Sequence, residues 1–561
     1  MSGFSLKGLC GLALLLLAGC GAPSTPASAP AAAAMAARPV DQLNRIVERY
    51  WDERVPPENA ISPQSLADSL DIERRYLEEV SQLARDGLPE DSRLTYDIFK
   101  RQRALSVEGF TFPGELLPMD PFGGMTQRLA AAAESWGHAQ TTADYETWLR
   151  RVDQYVDWTR QAMVNMREGL RRGYSTPRAL VERMLPILER YGADGPGNVF
   201  YTPARSMPDS IIEPERNRLA KAVENATAKQ LLPAIRALHD YLRQEYLPRA
   251  RAGIALSELP LGAHWYAYRV QRATGMGLTP DEIQRIGMTE VERIGAPPPP
   301  NATPNGAPLD AAELLNAYED LAAKVRAALP NQFAESPREG LRIRATEWPR
   351  EPAAPLLYQP AGPAGLPPAA LYVDVGRGSA HRVVTPSFLR QATPGRQFQI
   401  ALQQDNLALP RFRRFGGEAA FTEGWGMYAV SLAEALGLLP DDAAKSDAAA
   451  EEMRCAVGAV VDTGLHAKGW TRGRALDYLR AHLAIDESAA QALIDWYAAN
   501  PADALSCMVG EREFLALRAR AQQALGGRFD LRQFHVEILR NGAMPLDILE
   551  ARMKLWTDAS K

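Results

Sequence analysis

From residue 40 to about 295, apolar side chains recur every three or four positions, and this period constrains the fold more than any other feature of the chain. It runs through "DQLNRIVERYWDERV", "WLRRVDQYVDWTRQAMVNMREGL" and "LLPAIRALHDYLRQEYLPRA". Side chains at that spacing share one face of a helix, so each segment has a stripe to bury against a neighbour. The first half of the chain is therefore expected to be a helical scaffold. In "GLTPDEIQRIGMTEVERI", Thr279 can cap a helix and Glu282, three residues on, completes a capping box. "APPPPNATPNGAP", residues 296–308, breaks the pattern and reads as a loop at a subdomain seam. No longer repeat recurs, which argues against a solenoid.

Between 340 and 380 the character changes. "LRIRATEW" and "AALYVDVG" are β-rich and bracketed by Pro and Gly, which predicts a small sheet. Helical patterns return from 383, beginning with "FLRQATPGRQFQIALQQDN", residues 388–406, which reads as one helix. The fold class expected is mainly α, with a small β-sheet placed just before that helix. At 561 residues and 46% hydrophobic content, the span 40–558 can bury a large core. It divides into a helical half, 40–295, and a sheet-bearing half, 309–558. With 63 basic and 68 acidic residues the formal charge is −5, so there is no broad basic field to collect nucleic acid.

The chain opens on "MSGFSLKGLCGLALLLLAGC", where Lys7 precedes a short apolar run that ends in small residues, as in a secretory signal, 1–19. The run is too short to span a bilayer. Leu17-Ala18-Gly19-Cys20 resembles the bacterial lipoprotein box, which implies cleavage before Cys20 and lipid on its thiol. The other reading is a plain signal peptide with Cys20 incidental. Residues 20–39 are Ala/Pro-rich and are expected to be a flexible tether. Gly21 stands where inner-membrane lipoproteins commonly carry Asp, so an outer-membrane anchor facing the periplasm is expected, with the membrane as partner through Cys20. In the folded part Cys455 and Cys507 neither demand nor exclude a bridge, and they cannot form a Cys-rich zinc site.

Five ordered segments, "GLTPDEIQRIGMTEVERI", "FTEGWGMYA", "VVDTGLHAKGWTRGRALDYL", "NPADALSCMVG" and "LGGRFDLRQFHVEILRNGAMPLDILE", resemble the bacterial domain-of-unknown-function family 885. Its members look like largely helical zinc peptidases of zincin (gluzincin-like) architecture. The family stretch matching 390–397 reads His-Glu-x-x-Pro-Gly-His-His, whereas this chain has Arg390-Gln391-Ala392-Thr393-Pro394-Gly395-Arg396-Gln397. The resemblance implies zinc for the family and its loss here. Arginine has no lone pair to offer a metal, and the amide of Gln391 cannot serve as a base. A guanidinium ~4 Å from a divalent ion would repel it by roughly 8 kcal/mol at an effective dielectric of ~20. Glu423 in "TEGW" matches the family's third ligand. The expectation is that Arg390 or Arg396 pairs with Glu423; the alternative turns both arginines to solvent and leaves Glu423 in a local cap.

"RCAVGAVVDTGLHAKGW" carries Arg454, Asp462 and His466. Asp462 and His466 are four apart on one helix face, so Asp462 can orient the imidazole or a nearby cation. The resemblance places this block in the cleft as substrate contacts; the plainer reading is a structural network at a helix end. Cys507 stands where the family has Tyr, a candidate oxyanion donor, and is a weak donor in its place. His381 and His264 are either displaced ligands or packing residues, and His535 matches a structural position. A nucleophile elbow, a phosphate loop and a dinucleotide fingerprint are all absent. The leading functional expectation is a pseudoenzyme without cofactor that binds a peptide or anionic small molecule. The alternatives are an active peptidase or amidohydrolase using Glu423 with His466, and a structural envelope lipoprotein with a protein partner.

Overall fold

The structure, a computed structural model, describes residues 38–54, 60–134, 136–295, 309–338, 340–346, 355–363, 365, 368–376 and 382–561. The signal peptide, Cys20, nearly all of the tether, the loop 296–308 and His381 lie outside the described residues.

The helical period of the first half becomes buried stripes. Pro39–Glu53 buries Leu43, Ile46, Val47 and Tyr50, one face of a helix. Thr142–Arg172 starts on a Thr141–Asp144 capping box and stops at Gly173, whose φ of 81° closes the last turn in the left-handed region. The capping box read in "GLTPDE" forms: Thr279 Oγ1 accepts from the Glu282 N–H at 3.3 Å, and Glu282 accepts from the Thr279 N–H at 2.8 Å. Around Leu232–Tyr241 the regular helix is flanked by wider π-helical turns, Thr227–Leu231 and Leu242–Tyr246. Among the described residues no helix is long and apolar enough to cross a membrane.

The sheet has three strands in the order β1-β3-β2: β1 Ile343–Thr346, β2 Leu356–Gln359 and β3 Ala370–Asp374. β1 runs parallel to β3, with Ile343 opposite Leu371, and β2 runs antiparallel, with Leu356 opposite Val373. Leu356 and Tyr358 on β2 and Leu371 and Val373 on β3 turn inward. At the edge, the Tyr358 N–H donates to Gln391 Oε1 at 3.3 Å, which fixes the sheet against the helix that follows it.

The stretch 388–406 is two helices, not the single one its pattern suggested. Thr385–Gln391 ends, the chain turns through a cis Thr393–Pro394 bond, and Arg396–Asp405 begins. Pro394 has no N–H to continue a helix and disfavours helical backbone at the residue before it. The indole N–H of Trp425 donates to the Pro394 carbonyl at 2.8 Å and ties this turn to Ala419–Ser431.

Pro39–Lys561 is one compact unit. Its largest core draws Leu43, Tyr50 and Phe99 together with Phe388, Trp425, Phe514 and Leu549. A second core, with Trp148, Tyr155, Phe200 and Tyr246, lies within 129–250, and a third gathers around Val457, Leu465 and Ile494. The two halves read from the sequence therefore share a core. Periodicity shows that a stripe exists but not which partner covers it.

Candidate functional site

A cavity of about 910 Å³ opens among the helices Pro39–Glu53, Glu90–Gly109, Gly262–Thr274, Ala419–Ser431, Asp442–Ala467 and Leu505–Leu525. Its wall carries Arg54, Arg103, Arg269, Arg272, Arg390 and Arg454 against only three carboxylates, Glu418, Glu423 and Asp503. The sign of the site is therefore positive although the whole chain is slightly negative.

Around Glu423 the charges are matched. Arg390 Nη2 lies 3.2 Å from Glu423 Oε2 and its Nη1 lies 2.8 Å from Glu451 Oε1. Arg396 Nε lies 3.2 Å from the other oxygen of Glu423, and its Nη1 donates to Gln391 Oε1 at 2.9 Å. Ser387 Oγ donates to Glu451 at 3.5 Å. Burial alone would push the Glu423 and Glu451 carboxyls up, but the guanidiniums outweigh it and hold both below the ordinary glutamate value. Burial likewise opposes the charge on Arg390, and Glu451 and Glu423 more than restore it.

Two glycines make this possible. A Cβ on Gly426 would stand 2.9 Å from the Arg390 carbonyl oxygen and 3.2 to 3.3 Å from the Cγ atoms of Arg390 and Arg396, so only glycine leaves room for both stems. A Cβ on Gly424 would come within 2.3 Å of Gly510 Cα, which lets Ala419–Ser431 cross Leu505–Leu525 backbone to backbone. Glu-Gly-Trp-Gly thus places a carboxylate toward the arginines between two close contacts.

The described residues around Glu423 do not fit a zinc ion. Both oxygens of Glu423 face guanidiniums, Gln391 Oε1 is engaged by Arg396 and the Tyr358 N–H, and the Gln397 amide oxygen accepts from Thr393 Oγ1 at 2.7 Å. Among the described residues no three His, Cys, Asp or Glu side chains are grouped so as to share a metal.

Other sequence candidates are placed elsewhere. Asp462 and His466 share a helix but not each other, and neither lines the cavity. Asp462 is fully buried and accepts from Tyr266 O–H at 2.6 Å and the Ala502 N–H at 3.0 Å. Burial pushes its carboxyl up to about 7. His466, equally buried, accepts from the Leu256 N–H at 2.9 Å and donates to the Tyr497 carbonyl at 3.0 Å, and burial lowers it to about 4. This corrects the substrate-contact reading of both, and with it a catalytic pair of Glu423 and His466: these groups bridge loops in the interior. Cys507 has no thiol to offer, because it is bonded to Cys455 in a disulfide with Cα atoms 5.8 Å apart. The pair forms part of the cavity wall.

His264 is exposed and does not line the cavity. His535 packs 4.5 Å from the Phe333 ring and bonds Tyr428 and the Gln332 carbonyl, a structural role. Arg454 does face the cavity, is exposed, and makes no ion pair with a described residue.

Sequence reading missed Glu451, Arg54, Arg103, Arg269 and Arg272. Glu451 sits one helical turn before Arg454, and that spacing was a usable signal. The others lie more than a hundred residues from the motif and carried none.

A mainly helical fold with a small mixed sheet and a cationic internal cavity is thus the class to which this protein belongs. Within it, the chain is a member of the bacterial protein family of unknown function DUF885, whose model matches residues 55–297 and 298–553. The fold is shared with a crystal structure described as a "putative lipoprotein" from Colwellia psychrerythraea, at 21% identity and a TM-score of 0.83 over 93% of this chain and 99% of that one. It is also shared with a structure described as a "putative lipoprotein of unknown function" from Shewanella oneidensis, at 15% identity and a TM-score of 0.65 over 92% of this chain and 100% of that one. No curated protein matches the sequence.

Proposed function

We propose that this chain is a lipoprotein of the bacterial envelope that holds a peptide or an anionic small molecule in its arginine-lined cavity without hydrolysing it. The observation that carries the reading is the pairing of Arg390 and Arg396 with both oxygens of Glu423. In the zinc-peptidase pattern that the sequence resembles, that carboxylate would ligate a metal; here an organic cation compensates it. What remains is a cavity whose wall carries more arginines than carboxylates. The Cys20 box and the descriptions of the two similar structures support the lipoprotein assignment. Gly21 supports an outer-membrane anchor facing the periplasm.

The test uses the purified chain and a pool of tetrapeptides, with mass spectrometry of what is retained and of what is cut, and metal analysis of the same sample. Retention of intact peptides, weakened by Arg454→Gln, is the expected result. Turnover of the pool together with stoichiometric, chelator-sensitive zinc would overturn the proposal.

A further inference from the structure

The helix Asp442–Ala467 lends Arg454, Cys455 and Gly458 to the cavity wall, and Tyr497, on the helix Glu487–Ala499, lines the same wall. Tyr497 is only 4% exposed, and its hydroxyl makes no hydrogen bond with a described residue. Unlike the Nε atoms of Arg54 and Arg103, which have almost no accessible surface, this oxygen keeps access to the cavity. A donor so deeply placed is costly without an acceptor, so a hydroxyl left unpaired at a cavity wall marks a place for one.

The helix Asp442–Ala467 also fixes where that hydroxyl sits. His466 donates to the Tyr497 carbonyl at 3.0 Å, and a Cβ on Gly458 would stand 3.1 Å from Tyr497 Oη and 3.4 Å from Ala504 Cβ. The bare backbone at Gly458 thus seats the hydroxyl against the helix. Arg454 lies one turn before Gly458 on the same face, where Cβ positions four residues apart are about 6 Å from each other. Its guanidinium has no ion pair with a described residue, and its charge acts on both the Tyr497 phenol and the Glu451 carboxyl. The acid that Tyr497 also senses, Asp462, is engaged by Tyr266 and the Ala502 N–H. Next to Arg454, Cys455 is bonded to Cys507, which pins this turn to the helix Leu505–Leu525.

Burial pushes the Tyr497 phenol up and Arg454 only partly opposes it, so the hydroxyl keeps its proton at neutral pH. One neutral donor and one cation side by side suit an acceptor with two oxygens and a single negative charge, which describes a carboxylate. Leu493, Trp496 and Ala504 on the same wall offer apolar surface for whatever carries it.

Resting on the binding role proposed above, we infer that Tyr497 and Arg454 form a subsite for a carboxylate borne on an apolar group, with the Tyr497 hydroxyl donating to one oxygen and the Arg454 guanidinium to the other.

Equilibrium dialysis of the purified chain against phenylacetate, phenylacetamide, and a tetrapeptide pool with free or amidated C-termini tests this. Each acid is expected to be retained about tenfold over its amide, the effect of one charge-assisted hydrogen-bonded pair. Tyr497→Phe, which deletes only the hydroxyl, and Arg454→Gln should each remove most of that preference. Because the hydroxyl has no hydrogen bond with a described residue to lose, Tyr497→Phe should unfold in urea at the native midpoint, which separates binding from folding. If it fails to fold, Arg454→Gln, at an exposed side chain, still decides the preference. A preference in phenylacetate alone assigns the subsite to a free acid, and one in the pool alone assigns it to a peptide end. An acid preference that survives in folded Tyr497→Phe or in Arg454→Gln would overturn the subsite. So would equal retention of acids and amides by the native chain, which leaves cavity binding standing. Retention of none of the four probes would overturn the binding role itself.

Discussion

Two sets of arginines around the cavity hold the same kind of side chain under different conditions. In one set, Arg390 and Arg396 meet Glu423 and Glu451, and each guanidinium has a carboxylate within 3.2 Å. In the other set, Arg54 and Arg272 have no carboxylate partner among the described residues, Arg103 has Glu73 at 3.2 Å, and Arg269 has Asp503 at 3.6 Å. Burial pushes the carboxyls of Asp503 and Glu418 up. A balanced buried cluster is a structural device, since removing either sign strands the other. A surplus of one sign around a void leaves its counter-charge to solvent ions or to a ligand.

The largest expected effect breaks the balanced set. Arg390→Ala leaves Glu423 and Glu451 without their shared cation and should lower stability by about 3 kcal/mol in urea unfolding. A loss under about 1 kcal/mol would show that the cluster is solvated and that the contrast between the sets is false. Replacing Cys455 and Cys507 together with alanine removes the cross-link across a sequence separation of 52 in the cavity wall. Chain entropy puts that loss at roughly 4 kcal/mol as an upper figure, and about 2 to 4 kcal/mol is expected on unfolding, with reductant giving the same change in the native chain.

The interior network sharpens the comparison through pH. His466 is held near 4, below its ordinary 6.5, so the unfolded chain takes up a proton that the folded one refuses; this stability is present above 6.5 and is lost as pH falls toward 4. Asp462 is held near 7, above its ordinary 3.8, so its contribution has the opposite sign: present below 3.8 and lost as pH rises to 7. Between pH 4 and 6.5 the two nearly cancel. Asp462→Asn should remove one of them, so that stability rises more steeply with pH across that window, by about 1.4 kcal/mol per unit. An unchanged slope would mean that Asp462 is ionised in the fold.

The smallest effect belongs to the arginines without a carboxylate partner. Arg272→Gln should change stability by no more than about 0.5 kcal/mol, or raise it slightly, because it relieves an uncompensated charge. A destabilisation comparable to that of Arg390→Ala would reveal a hidden partner and erase the distinction between the two sets.

Much of the fold was legible because it is local. The helical stripes of Pro39–Glu53 and Thr142–Arg172, the capping box at Thr279 and the sheet between 340 and 380 follow from spacing and from residues a few positions apart. The break at Pro394 was written in the sequence too, but the apolar pattern on either side concealed it. Arg390, Arg396 and Glu423 were identifiable as a group only through a motif whose parts already share a neighbourhood in the family that it resembles. Asp462 and His466 misled for the reverse reason. Four residues apart on one helix they looked like partners, whereas Tyr266, Ala502, Leu256 and Tyr497, from distant segments, are what they bind.

The sequence by itself determined most of the helical stripes, the capping box at Thr279 and the presence of a small sheet. Only the tertiary structure decided that Cys455 and Cys507 bond, that Arg390 and Arg396 share one carboxylate, and that Arg54, Arg103 and Arg272 line a single cavity. The division is physical. Helix periodicity and capping act over a few residues along the chain, whereas charge balance and burial depend on which remote surfaces are packed face to face.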